Sequence, residues 1–190
     1  MPHQYFHELV FKDDNFRTKQ LLVGDYENCQ FTNCNFANAS LNRINFVDCQ
    51  FNNCDFSNAK LTETGLRTVQ FQSCKLIGLR FDACNSFLFA ANFQDCRLDY
   101  SIFQQMNLQK CQFLGCALVE VDFTEANLSG VDFSESNLYE AVFDQTNLEG
   151  ANFRTARDFS IDPAKNRVKS AQFTYQGLIG LLHKYQLDII

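Results

Sequence analysis

The sequence predicts an all-β fold: a chain wound into a four-walled coil, closed by a short C-terminal α-helix. Three observations carry this expectation. Large apolar residues recur at every fifth position over most of the 190 residues. A small residue usually stands two places before each of them. In the later part of the chain, Phe and Leu alternate at the apolar position without error. The period matches neither the 3.6 residues of an amphipathic helix nor the simple alternation of a lone strand.

The stretch from Ala126 to Phe153, ANLSGVDFSESNLYEAVFDQTNLEGANF, shows the unit. Each five holds a small residue, then often Asn or Asp, then Leu or Phe, then two more polar residues. The apolar centres run in register from Phe11 through Phe16, Leu21, Tyr26 and Phe31 to Phe81, and again from Leu88 to Phe153. Positions two apart on an extended chain share a face, so the small residue and the centre both point inward and the last two residues make a bend. A chain that bends regularly in one sense is a coil. If like residues stack, the Phe–Leu alternation demands an even number of fives per turn. Two leave no room for Phe, so four fives, or 20 residues, make each turn. The expected repeat unit spans 1–160, with a break in register at 82–88.

The nine cysteines, Cys29, Cys34, Cys49, Cys54, Cys74, Cys84, Cys96, Cys111 and Cys116, all fall in the small inward slot. None makes the close pair that zinc sites use, so they read as packed thiols, and no metal or cofactor is expected. At the break, CNSFLFAANF places Asn85, Phe87 and Phe89 around the centre Leu88. The readings that stand open are a bulge or small loop with one Phe outside, a kink between two stacks, and a contact loop for a partner.

Residues 161–190 are expected to form a C-terminal cap. Asp162-Pro163 opens a turn, Lys165, Arg167 and Lys169 follow, and Thr174 stands where it can cap a helix carrying Leu178, Leu181, Leu182 and Tyr185. Gly177 and Gly180 weaken that helix in isolation, so it needs packing. It covers the end of the coil, and its surplus of apolar residues suits a homodimer interface through these four side chains, with a monomeric cap as the alternative.

Composition narrows function. Charged residues make up 20% and the formal net charge is −6. No apolar run is long enough to span a membrane, and the N-terminus lacks the pattern of a secretory signal, so a soluble cytoplasmic protein is expected. The three histidines lie outside the repeat and no phosphate loop or nucleophile–base pair appears, so no enzyme is expected. Residues 111–153 hold Glu120, Asp122, Glu125, Asp132, Glu135, Glu140, Asp144 and Glu149 and no base, whereas the segments before and after carry −1 and +3. This acidic band disfavours direct nucleic-acid binding. It reads either as a solvated face or as a partner-binding surface.

The repeat resembles that of the pentapeptide-repeat proteins from about Phe11 to Phe153, and the resemblance implies a right-handed quadrilateral β-helix. The tail, with its DP turn, basic residues, GLL segment and closing LDII, resembles that of the topoisomerase-protecting members, the Qnr, MfpA and microcin B17 immunity proteins. What this resemblance implies is a homodimer formed through the tail, and a DNA-mimicking surface that binds DNA gyrase or topoisomerase IV and modulates it or protects it from quinolones or a toxin. The chain lacks the long insertions that Qnr members use as functional loops, which makes the compact relatives the better comparison. A scaffold or adaptor for an unrelated protein is the competing reading, because the repeat is common to both.

Overall fold

The bend is the unit from which this fold is built. In most fives, the second residue after the centre adopts a left-handed conformation: Asn28, Asn33, Asn38 and Asn53 have φ of 51°, 55°, 60° and 54°. Asn tolerates this region better than most residues. The residue just before the centre closes the bend from the other side. Asn35 Oδ1 accepts a hydrogen bond from the Ala37 amide at 2.9 Å, and Asp132 Oδ1 accepts one from the Ser134 amide at 2.9 Å. A short carboxylate or amide at that place is therefore part of the turn chemistry.

The computed structural model describes residues 4–188, and these wind into a parallel solenoid. Ten strands are present among the described residues: β1 (Gln4–His7), β2 (Val10–Lys12), β3 (Gly24–Glu27), β4 (Gln30–Thr32), β5 (Asn45–Val47), β6 (Gln50–Asn52), β7 (Gly65–Arg67), β8 (Val69–Gln72), β9 (Ala91–Gln94) and β10 (Gln112–Leu114). They form a four-stranded sheet, β1-β3-β5-β7, and a six-stranded sheet, β10-β9-β8-β6-β4-β2. The register step is 20 residues, as in Phe11↔Phe31 and Phe31↔Phe51. Isolated parallel bridges such as Ser40↔Lys60 and Asp122↔Val142 continue the same step on the other faces.

Four walls follow. Wall A carries Phe11, Phe31, Phe51, Phe71, Phe93, Phe113, Phe133, Phe153 and Phe173 in one column, with consecutive rings stacked at centroid distances of 4.6 to 5.5 Å. Wall B holds Phe16, Phe36 and Phe56 and then changes to Leu76, Leu98, Leu118 and Leu138; wall C changes the other way, from Leu21, Leu41 and Leu61 to Phe81, Phe103, Phe123 and Phe143. Wall D carries Phe6, Tyr26, Phe46 and Leu66 below the break and Leu108, Leu128 and Leu148 above it. The Phe walls are opposite, as the alternation requires, only in the later half.

The small slot has a hydrogen-bonding task as well as a packing one. Cys74 Sγ donates to the Phe51 carbonyl at 3.3 Å and Cys116 Sγ to the Phe93 carbonyl at 3.4 Å. Higher on wall B, Ser136 Oγ donates to the Phe113 carbonyl at 2.9 Å and accepts from the Cys116 amide at 2.9 Å. Thr146 Oγ1 does the same for the Phe123 carbonyl on wall C. Each such side chain gives a hydrogen bond to a backbone carbonyl of the coil below. All nine cysteines are buried free thiols, and burial pushes those of Cys49 and Cys111 up to about 12.

At the break the step becomes 22, with Val69↔Ala91 and Phe71↔Phe93, while Gly65↔Asn85 still keeps 20. The two extra residues lie between Asn85 and Ala91. The expected centre Leu88 is not inward: it has φ +60° and is exposed, whereas Phe89 is buried edge-on against Phe81. A turn from the Ser86 carbonyl to the Phe89 amide (3.3 Å) rotates the chain by one residue and exchanges their roles.

The tail also departs from the expected α-helix. It forms 3₁₀ helices at Gln176–Leu181 and His183–Tyr185. Thr174 Oγ1 accepts from the Gly177 amide at 3.2 Å, the cap expected of it. The Gly180 carbonyl accepts from the Ile161 amide at 2.9 Å, which ties the segment to the coil. Gly180 lies flush on Phe159, and a Cβ there would sit 2.5 Å from the ring. Parallel pairing runs on beyond the expected end at 160, through Asn147↔Arg167 and Asn152↔Gln172, so the coil continues into the tail. Phe159, Ile161 and Leu181 then cover the last turn.

Candidate partner-binding surfaces

The eight acids of the band occupy two kinds of position. Glu120, Glu125, Glu135 and Glu140 sit at bends with φ of 54°, 58°, 62° and 56° and are exposed. Asp122 and Asp132 lie on strand-like segments, and Asp144 and Glu149 on the first residue of a bend, all half-buried. The acids therefore encircle the solenoid instead of lining one wall. Glu120 and Glu140 stack on adjacent coils, the Glu120 amide donating to the Tyr139 carbonyl at 2.9 Å. The Glu140 carboxylate beside Tyr139 holds its phenol above the usual range.

The band is partly neutralised by the tail. Arg167 pairs with Glu149 at 3.0 Å and Lys165 lies 3.8 Å from Asp144. Sequence reasoning missed this contact. Carrying the 20-residue step past Phe153 finds it, since it places Arg167 directly above Asn147. Asp122 accepts from Gln104 Nε2 at 2.6 Å and Glu125 from Gln105 Nε2 at 3.0 Å, so these two are held by neutral donors. Among the described residues no basic side chain forms an ion pair with Glu120, Glu125, Glu135 or Glu140.

In the tail, Leu178, Leu182 and Tyr185 are exposed, together with Ile179 and Leu187. Leu181 is different: it packs against the coil's own core. Part of the closing LDII, residues 189 and 190, lies outside the described residues. In the loop at the break, Asn85 Oδ1 accepts from the Phe87 amide at 2.9 Å and Phe87 stands out from the wall with Arg67 5.7 Å over its ring. Phe89, buried, is withdrawn from that surface, and Leu88 takes its place.

A model of the pentapeptide repeat region matches residues 25–87, and one of eight pentapeptide repeats matches 88–124 and 116–154. The chain belongs to the pentapeptide-repeat family. Among solved structures, this pentapeptide-repeat chain is similar to a trypsin-treated variant of QnrB1, a plasmid-mediated fluoroquinolone resistance protein, with TM-score 0.64 and 17% identity over 98% of this chain and 100% of that one. It is also similar to HetL, a protein involved in heterocyst differentiation regulation from the cyanobacterium Nostoc sp. strain PCC 7120, with TM-score 0.67 and 16% identity over 89% and 84%. At these identities the likeness is one of fold. No curated protein matches the sequence significantly. Among the described residues no helix is long and apolar enough to cross a membrane, and no three His, Cys, Asp or Glu side chains are grouped to hold a metal ion.

Proposed function

We propose that this pentapeptide-repeat protein is a DNA mimic that binds a type II topoisomerase, DNA gyrase or topoisomerase IV, and modulates it or protects it from quinolones or a toxin. The supporting observation is the band of corner glutamates, which encircles a solenoid of nearly constant cross-section and meets no base except at its tail-side edge. Duplex DNA presents dense, regular negative charge on a rod, and an enzyme that holds DNA in a basic channel has a surface complementary to both. The tail's exposed Leu178, Leu182 and Tyr185 favour a homodimer, which would place two bands near the centre of a longer rod. Cytoplasmic residence follows from such a partner.

The test is binding to purified gyrase and topoisomerase IV at two salt concentrations. Glu120→Lys with Glu140→Lys should weaken binding more than Asp13→Lys with Asp14→Lys at the far end. The difference should shrink as salt rises, because screening shortens the field to about 8 Å at physiological ionic strength. Equal binding by both double variants sinks the proposal. A second reading, a scaffold for an unrelated protein, is favoured by the exposed Phe87–Leu88 loop, and the loss of that contact on Phe87→Ser would support it.

A further inference from the structure

The outward positions of the solenoid are polar almost everywhere above the break, with one exception. Along the edge where wall B turns into wall C, apolar and aromatic side chains recur on three successive coils. Tyr100, Tyr139 and Val142 are 56%, 52% and 44% exposed, and Ile102 and Val119 are half-buried between them. Their adjacency is fixed by the backbone. The Tyr100 amide donates to the Val119 carbonyl at 2.9 Å, the Glu120 amide to the Tyr139 carbonyl at 2.9 Å, and Ile102, Asp122 and Val142 bridge in sequence. None of these side chains contributes to the core. Tyr100 even occupies a bend with φ +62°, a conformation that a bulky residue adopts at a cost and that Asp, Gln, Glu or Gly fills at the other left-handed bends from Asp95 to Gly150. The fold gains nothing from a tyrosine there.

We infer that this edge is a protein-binding strip, whose occupant is a partner surface with Lys or Arg side chains set among apolar ones. Tyrosine is enriched among the side chains that carry binding energy at protein interfaces, and here the tyrosines alternate with acidic side chains on successive coils. Charge selects the occupant. Glu120 and Glu140 run up the middle of the strip, and Asp122 lies beside them. At its foot, Arg97 is engaged with Asp99 at 3.0 Å and Arg80 with Asp82. A second copy of the same edge would bring glutamate against glutamate, and nucleic acid or an anionic lipid surface would be repelled. A basic protein surface is attracted. The strip rests on the topoisomerase reading for the identity of that partner and adds to it a contact that duplex DNA does not offer, so the binding should retain a component that salt does not screen.

The experiment measures affinity for purified gyrase and topoisomerase IV at low and high salt. It compares the parent, a strip variant (Tyr100→Asn, Tyr139→Ser, Val142→Ser) and a control variant with Leu22→Ser, an exposed apolar residue near the far end of the coil. Asn suits the positive φ at position 100, and all three changes are outward-facing, so an unchanged thermal melt certifies the fold. The strip variant should lose at least about tenfold in affinity at both salt concentrations, as removal of hot-spot side chains does, and the control should bind like the parent. If the parent binds and the strip variant binds equally well, the strip is refuted while the topoisomerase reading stands. If the parent binds neither enzyme, the reading falls and the strip's assignment falls with it.

Discussion

Replacing Phe123 tests the inward register directly. Its ring is fully buried, stacks on Phe103 at 5.4 Å and Phe143 at 5.5 Å, and meets Phe113 and Phe133 edge-on at 5.7 and 6.0 Å. Phe123→Ala removes that ring from four aromatic neighbours and should cost about 3–5 kcal/mol. Phe123→Asp incurs the same loss and adds a polar group with no partner in its slot, roughly 2–7 kcal/mol more. Together these approach or exceed the roughly 5–15 kcal/mol by which a domain is stable, so the Asp variant should be unfolded. Glu125, two residues on, points to solvent at a bend, and Glu125→Lys should change stability by no more than about 0.5 kcal/mol. Urea denaturation followed by far-ultraviolet circular dichroism reads all three. Similar midpoints for Phe123→Ala and Glu125→Lys would refute the register.

Three further outcomes follow from the same geometry. Ser136→Ala strips a partner from the Cys116 amide and the Phe113 carbonyl and should cost about 1–3 kcal/mol, whereas Ser136→Cys should cost less, because a thiol fills this slot in the coils below; chemical denaturation of the pair checks it. Leu182→Asp should give monomers with an intact solenoid in sedimentation, while Leu181→Asp should lower the melting temperature, since Leu181 packs on the core. The thiols of Cys49 and Cys111 titrate near 12 in the fold because burial disfavours the thiolate. An unfolded chain loses those protons first, near 8.5, so it binds fewer protons than the native state above that pH and stability falls as pH rises toward 12. Each of the two should cost about 1.4 kcal/mol per pH unit in that window, and a denaturation midpoint that stays flat between neutral pH and 10.5 would contradict it.

The coil itself was legible in the sequence because one physical rule, two inward side chains per bend, is repeated at every five residues. The step of 20 needed a second feature, the alternation of Phe and Leu in the later part of the chain. Other features were not legible, for identifiable reasons. Choosing Leu88 as a centre followed from its five-residue distance to Phe93, but a local turn at Ser86 decides which of two adjacent apolar residues faces in. The tail forms 3₁₀ turns where an α-helix was expected, and its seating on Phe159 and Ile161 through Gly180 is a contact invisible until the coil's end is built. The thiols were read as packing alone; their bonds to carbonyls 23 residues earlier need the stacked coil. The eight acids of the band are plain in the sequence, yet their partial neutralisation by Lys165 and Arg167, and the apolar edge at Tyr100 and Tyr139, emerge only once outward positions are assigned to walls.

The central claim is that this rod occupies the place of DNA on a type II topoisomerase. Competition measures it most directly: purified gyrase is loaded with a fluorescent duplex, the protein is titrated in, and supercoiling is followed in parallel with and without a quinolone. The account predicts displacement of the duplex in a salt-dependent manner, with a matching change in supercoiling or in drug-induced cleavage. A protein that binds gyrase while the duplex stays in place, or that leaves both the duplex and the activity unchanged, would contradict it.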